Sequence, residues 1–285
     1  MARKSIFDIA AQSIDMESEI KRIIVMSFKE KVVQYAYDCT LVDFVDKYCF
    51  KDWKYRGHFV NLNDMLDSIG FDEMKYDAME DDVDSFMRVI ETIYNLWRLA
   101  RQKIKGKENS TYWIGNFYHL KDVMDDNLEK YNHKAYIDDE RILIIEDKPE
   151  VTAAAEIVEY PLAIDIIRYN HRSMQGEVEA KKQVLLALGA ELEPKRKELV
   201  RVDKQLSEDI FYMLNNLNLR HNNRSKKDKN YKEYVAKMPK KRLEKWYDEL
   251  YQMILLALLM LDHKNNREST VKELKEKVNE VSKND

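Results

Sequence analysis

The chain has 285 residues, and its apolar share of 45% is large enough for a packed core. Six glycines and four prolines are too few for the turns of a β-sandwich or β-barrel, which excludes those classes and favours long helices. A net charge of −4 excludes a uniformly basic surface for nucleic acid, so any such surface must be a local patch.

The histidines and cysteines match no motif for a bound group. Cys39, Cys49 and the six histidines show no metal-ligand spacing, and the chain has no glycine-rich phosphate loop. We therefore expect no metal and no cofactor, and reduced cysteines typical of a cytoplasmic protein. The N-terminal residues lack the apolar core of a signal peptide, and the longest apolar run, Met253 to Leu261, is shorter than the roughly 20 residues of a membrane span. A cytoplasmic protein with no membrane partner is the expectation.

The first part of the chain carries apolar residues at helical spacing, within 5–50 and again over 83–105. Seven acidic residues within 72–84 precede the second stripe. Because acids suit the positive end of a helix dipole, we interpret them as a solvated cap rather than a calcium loop, whose glycine and terminal glutamate are absent. The predicted core positions are Ile20, Ile23 or Ile24, Phe28, Val32, Phe86, Ile90, Ile93 and Trp97.

A strand pattern interrupts the helices near the middle of the chain. After a predicted helix over 112–133, residues 135–147 predict a small β-hairpin that turns at Asp138–Asp139–Glu140. The hairpin and Pro149 mark the predicted domain boundary. The overall prediction is an all-α, multi-helix protein with this one hairpin. Its parts are an N-terminal helical domain of unknown role (1–134), a hairpin or linker (135–149) and a C-terminal helical bundle (150–285).

The C-terminal part predicts a series of helices. One spans 150–175 with a restart at Pro161, and a short one spans 177–188 and stops at Gly189. From Pro194 a long amphipathic helix continues to about residue 221, and Asn222 or Asn223 would end it. Beyond the polar stretch 222–239, a further helix is predicted from about 243 to 263, followed by a short helix or frayed end.

Two polar segments stand where an apolar stripe should continue, at 168–172 and 215–223. In the first, helical spacing would place His171 on one face with Ile164, Ile167 and Met174, and the arginines beside it. The first interpretation is structural, with these groups capping and crosslinking helix ends. The second is phosphodiester chemistry, in which arginine neutralises phosphate, histidine transfers a proton and asparagine positions an oxygen. The residues concerned are Arg168, Asn170, His171, Arg172, Asn218, Arg220, His221 and Asn222.

The stretch 224–245 is the most basic part of the chain, with ten Lys or Arg residues against three acids, a net charge of +7. Tyr231 and Tyr234 interleave with the cations, so phosphate neutralisation combined with base stacking is feasible. Lys226, Lys227 and Lys229 are the candidate contacts for nucleic acid. A solvated basic loop without a partner is the alternative.

The segments 166–199, 214–223 and 243–262 together resemble the C-terminal helical region of bacterial abortive-infection (phage-defence) proteins. Those regions are similar to HEPN domains, which are helical bundles, often dimeric and often metal-independent ribonucleases. The resemblance implies an RNA-directed toxin-type effector, a homodimer, and a partner protein or trigger. It also implies that Arg220 contacts the scissile phosphate. The HEPN motif has a histidine several residues after its arginine, whereas here His221 follows directly, so the proton-transfer role would fall to His221 or His171. The alternative function is a non-catalytic helical module that binds nucleic acid or a partner protein.

Overall fold

The computed structural model describes residues 15–34, 38–68, 82–105, 112–113, 117–219, 226–227 and 231–281. The protein is mostly helical and contains a small antiparallel hairpin, which confirms the predicted fold class. Contacts divide the chain into two compact units, Met1–Glu146 and Asp147–Asp285. Within the described residues, no helix is both long enough and apolar enough to cross a membrane.

The N-terminal unit is built around a buried helix that the sequence predicted almost to the residue. This helix begins after Asp82, whose carboxylate accepts a hydrogen bond from the Ser85 backbone N–H and so caps it. Its predicted core positions are all buried. The helices of this unit are α1 (Met16–Phe28), α2 (Leu41–Tyr48), α3 (Leu62–Ser68), α4 (Val83–Ile104) and α5 (Phe117–Lys130).

The predicted hairpin consists of β4 (His133–Asp138) and β5 (Arg141–Glu146), and Asp139 takes the left-handed conformation at its turn. It belongs to the N-terminal unit because α4 binds the backbone of β5. The Asn95 side chain accepts from the Ile142 N–H and donates to the Ile142 carbonyl, at 2.8 and 2.9 Å. The Glu91 carboxylate accepts from the Ile144 N–H at 2.8 Å. These bonds pair backbone groups of Ile142 and Ile144 in β5 with side chains of α4.

The sequence did not predict a second, smaller sheet. Three strands of two residues each pair antiparallel in the order β2–β1–β3: β1 (Val33–Gln34), β2 (Asp38–Cys39) and β3 (Tyr112–Trp113). Strands this short contain too few residues for apolar alternation to be detected. Val32, which the sequence placed on the first helical stripe, is buried but lies after α1 has ended at Phe28.

Both cysteines are buried in the N-terminal unit and neither forms a disulfide. Burial raises the pKa of the Cys49 thiol to about 12. Because the thiolate is the reactive species, we expect Cys39 and Cys49 to resist thiol reagents in the folded protein and to react rapidly in urea. Titration with Ellman's reagent at about pH 8 checks this, and rapid labelling of the native protein would contradict it.

The C-terminal unit consists of packed helices. Its α8 packs against α12, which also contacts α6, α9 and α10. The helices are α6 (Pro149–Glu156), α7 (Tyr160–Tyr169), α8 (Val178–Leu192), α9 (Arg196–Val202), α10 (Lys204–Asn216), α11 (Glu233–Ala236) and α12 (Lys240–Val281).

Several predicted boundaries in this unit are wrong. Gly189 does not stop a helix, because α8 continues through it; a Cβ there would lie 3.1 Å from the Leu214 side chain, so the glycine permits close packing with α10. The predicted long helix breaks at Asp203, whose side chain caps α10. It ends before the left-handed Asn218, not at Asn222. Finally, α12 is one helix of 42 residues, since no glycine or proline interrupts it.

Candidate functional site

The two polar segments that the sequence singled out converge on neighbouring turns of α12. The Tyr247 hydroxyl donates to the Leu217 carbonyl at 3.0 Å, just after the end of α10. The Tyr251 hydroxyl donates to the Ile166 carbonyl at 2.9 Å, in the last turn of α7. Tyr247 and Tyr251 are four residues apart and therefore lie on one face of α12. The segments 168–172 and 217–219 thus approach one place in the bundle.

The helix α7 ends at an asparagine and does not continue to His171. Asn170 caps the helix, and its side-chain amide donates to the Tyr251 hydroxyl at 2.7 Å and to the Ile166 carbonyl at 3.1 Å. His171 then has an extended backbone and begins a short 3-10 turn, where its Nδ1 accepts from the Ser173 backbone N–H. The prediction that His171 shares a helix face with Ile164, Ile167 and Met174 is therefore wrong, because the Asn170 side chain competes for the backbone bonds that would extend α7.

His171 nevertheless lies inside the unit. Its side chain is buried at 7% exposure, and Nδ1 is 2.7 Å from the Ser173 hydroxyl. These contacts hold the imidazole in one orientation, which a proton-transfer group requires. Arg168 on α7 is half-exposed and forms a long ion pair with Asp165 at 3.9 Å, and Arg172 is half-buried.

A buried ion-pair network that the sequence reasoning missed lies beside this turn. The Lys181 ammonium on α8 is 2.7 Å from the Asp248 carboxylate and 2.8 Å from that of Glu244, and the Lys181 side chain is only 7% exposed. The Tyr169 hydroxyl donates to the same Asp248 oxygen at 3.0 Å. The available signal was a lysine at 181, three residues after Val178 and four before Leu185, on an otherwise apolar face.

Aromatic stacking extends the network. The rings of Tyr169 and Tyr251 are stacked in parallel, 4.0 Å apart, and the Lys181 ammonium lies 5.2 Å from the Tyr169 ring centre. Burial, and then the nearby Asp248 carboxylate, raise the pKa of Tyr169 above its ordinary value. Burial also raises the pKa of Tyr251. Both phenols therefore stay protonated and act here as hydrogen-bond donors, which ties α7 to α12.

Glu244 gives the network a pH dependence. The hydrogen bond from Lys181 lowers the pKa of Glu244 below its ordinary value of 4.5, and the Gly176 backbone N–H contributes at 2.7 Å. Since the folded-state pKa is the lower one, this stabilisation is complete above about pH 4.5 and is lost as the pH falls through the folded-state value. We expect the stability of the C-terminal unit to decrease over that acid range.

Urea unfolding of the parent and the Glu244→Gln variant between about pH 7 and about pH 3 measures this effect. The variant should lose stability less steeply on acidification. Glu233→Gln is the matched control, because Glu233 is exposed and pairs with the exposed Lys237. Equal slopes for the parent and the Glu244→Gln variant would contradict the assignment.

Some of the remaining predicted site residues lie within the part of the chain that the structure describes, and others do not. Asn218 is half-buried between two buried leucines, Leu217 and Leu219, and Lys226 and Lys227 are exposed. Arg220, His221, Asn222 and Lys229 lie outside the described residues. In the described segments, no group of three or more His, Cys, Asp or Glu side chains is arranged to hold a metal ion.

The described geometry supports two different kinds of contact with a ligand. Arg168, His171 and Arg172 are neighbours in the chain at the end of α7, where both arginines are partly exposed and His171 is buried. Arginine is the side chain that binds phosphate through paired donors. A second group of basic residues lies within 231–245, where Tyr234 is 49% exposed and the Arg242 guanidinium lies 5.4 Å from the Trp246 ring centre. Comparisons of the chain with protein-family models, curated proteins and solved structures give no match.

Proposed function

We propose that the C-terminal unit is a metal-independent ribonuclease of an anti-phage, toxin-type effector. The observation that supports the proposal is the convergence of the segments 168–172 and 217–219 on one face of α12, through Tyr251 and Tyr247. We infer that the arginine, histidine and asparagine side chains of these two parts of the sequence act on one ligand. This is the set of groups that phosphodiester cleavage requires in the absence of a metal ion.

In the proposed reaction the ribose 2′-hydroxyl attacks the adjacent phosphate. A histidine, His171 or His221, accepts the hydroxyl proton, and the protonated form of a histidine returns a proton to the departing 5′-oxygen. Arg220 stabilises the charge that develops on the phosphate, and the side chains of Arg168 and Arg172 hold the flanking phosphates. Asn170, Asn218 and Asn222 orient the RNA. The products are a 2′,3′-cyclic phosphate and a free 5′-hydroxyl, so atoms and charge balance without a cofactor.

The test is an RNA-cleavage assay on purified protein, with growth of the expressing cells recorded in parallel. The Arg220→Ala/His221→Ala double variant should lose cleavage by about 100-fold or more, because it lacks the charge-stabilising and proton-transfer groups. Arg267→Ala/His263→Ala is the matched control, since both residues are exposed on α12. An RNA with a single 2′-deoxy position should be spared at that position only.

Two results would contradict the nuclease proposal. One is cleavage by the Arg220→Ala/His221→Ala variant at the rate of the control. The other is intact RNA from the parent protein at high concentration, together with unimpaired growth. The homodimer that the resemblance implies is part of the same proposal, and light scattering of the purified protein measures it separately.

The second candidate is a non-catalytic module that binds nucleic acid, and the group of basic residues within 231–245 favours it. Exposed lysines follow α11 at Lys237 and begin α12 at Lys240 and Lys241, near the exposed Tyr234 in sequence and the Arg242–Trp246 pair. Such a group of residues binds single-stranded nucleic acid through phosphates and stacking. RNA binding that weakens with salt and persists in the Arg220→Ala/His221→Ala variant, without cleavage, would favour this module over the nuclease.

A further inference from the structure

The N-terminal unit contains a cavity of about 570 Å³ between α4, α5 and the hairpin. This volume falls within the roughly 300–1,000 Å³ of small-molecule sites. Its walls combine aromatic and aliphatic side chains with arginine and lysine, and no described carboxylate lines it. We refer to it as the α4–α5 cavity. It lies wholly within the unit 1–146, so nothing about it depends on the nuclease proposal.

Apolar side chains form the buried part of the cavity lining, which we call its floor. Trp97, Ile104 and Ile142 are buried at 3%, 1% and 4% exposure, and the Trp97 ring is supported from behind by Phe117, with 5.0 Å between ring centres. The rim carries Tyr118 and Ile137, which are 50% and 58% exposed. Large apolar side chains that stay this exposed beside a cavity are typical of ligand sites.

The cations of the cavity are only partly neutralised. Lys121 pairs with Asp125, and the Arg98 Nη2 donates to the Asp139 carbonyl at 3.1 Å. Arg101 and Lys105, both exposed, form no ion pair with any residue that the structure describes. Among the described residues, four cations line the cavity and one of them, Lys121, is paired with a carboxylate, that of Asp125, which favours a positive potential there. An anionic ligand would be attracted there.

We propose that the α4–α5 cavity binds a nucleotide. The base stacks against the exposed Tyr118 ring and covers the apolar floor, and the phosphates bind Arg101 and Lys105 at the rim. The Arg101 guanidinium already lies 5.4 Å from the Trp97 ring centre, so it connects the aromatic floor to the charged rim. An apolar ligand would leave the cations unused, and inorganic phosphate would leave the aromatic surface unused. A nucleotide uses both.

Isothermal titration calorimetry with ATP, GTP, CTP and UTP on the full chain tests the proposal, with adenosine and inorganic triphosphate as partial ligands. At least one nucleotide should bind with a Kd below about 1 mM, and each partial ligand at least about 10-fold more weakly. The Arg101→Ala/Lys105→Ala variant should weaken nucleotide binding by at least about 10-fold, and Tyr118→Ala by at least about 5-fold.

Lys103→Ala is the matched control, because Lys103 is exposed on the same helix but contacts Asp52 and does not line the cavity. It should leave the Kd within about 2-fold of the parent value. The proposal is overturned by failure of all four nucleotides to bind at about 1 mM, by unchanged binding in the Arg101→Ala/Lys105→Ala variant, or by inorganic triphosphate binding as tightly as the nucleotide. Thermal unfolding of each variant checks that the substitutions leave the unit folded.

Discussion

Replacing Lys181 with methionine is expected to lower the free energy of unfolding of the C-terminal unit by about 2–3 kcal/mol. The substitution keeps most of the aliphatic volume and removes the ammonium group. Glu244 and Asp248, whose side chains are 18% and 47% exposed, would then face each other with no cation between them. Removing the buried partner of such a network costs more than one exposed ion pair contributes, because the two like charges remain close together and Glu244 is still partly shielded from water.

Urea unfolding followed by far-UV circular dichroism measures this loss. Lys204→Met is the matched control, since the Lys204 side chain is 74% exposed and pairs with Glu208 at 3.6 Å. Exposed pairs contribute little, so the control should change stability by less than about 0.5 kcal/mol. Combining Lys181→Met with Glu244→Gln and Asp248→Asn should recover part of the loss, because all three charges are then absent. Equal midpoints for Lys181→Met and Lys204→Met would contradict a buried ion pair.

Replacing Trp97 with alanine is expected to destabilise the N-terminal unit by about 3–5 kcal/mol. The indole is 3% exposed and stacks on Phe117 at an interplanar angle of 18°. Its N–H donates to the Phe117 carbonyl at 2.9 Å, at the start of α5. The variant therefore creates a large void and leaves a buried carbonyl without this donor.

Hydrogen exchange resolved along the sequence measures this effect, because a chain with two compact units need not unfold in one step. Amides of α4, α5 and the hairpin should lose protection in the Trp97→Ala variant. Trp97→Phe keeps a ring against Phe117 and should lose only about half as much stability. Unchanged protection in α4 and α5 would show that the stacked pair does not stabilise this unit.

The helix α4 shows what local sequence can predict. Asp82 supplies a cap, apolar residues recur at helical spacing from Phe86 to Trp97, and every one of these signals acts between residues close in the chain. The hairpin was predicted for the same reason, since its turn joins strands that adjoin in sequence. The periodicity predicted which face of each helix is buried, but it did not predict which elements pack against that face.

The end of α7 shows where local rules fail. Helical spacing continued through His171, yet the Asn170 side chain bonds the Ile166 carbonyl and the Tyr251 hydroxyl, and the helix ends there. Tyr251 is 81 residues away along the chain, so its effect could not be read from the segment itself. Gly189 was misinterpreted for a similar reason. The glycine permits close packing against the Leu214 side chain on a neighbouring helix, and this contact cannot be seen from the local sequence.

The helical class, the hairpin, the apolar face of α4 and the polar character of the segments 168–172 and 215–223 could all be predicted, because each depends on residues that are neighbours in the chain. Only the tertiary structure decided that both segments meet α12 at Tyr247 and Tyr251, and that Lys181 is buried between two carboxylates. The fold also brings several cations, and among the described residues no carboxylate, into the lining of the α4–α5 cavity. The energies of buried hydrogen bonds, ion pairs and cavities depend on contacts between residues that are distant in the chain. Only the packing of the folded protein brings those residues together.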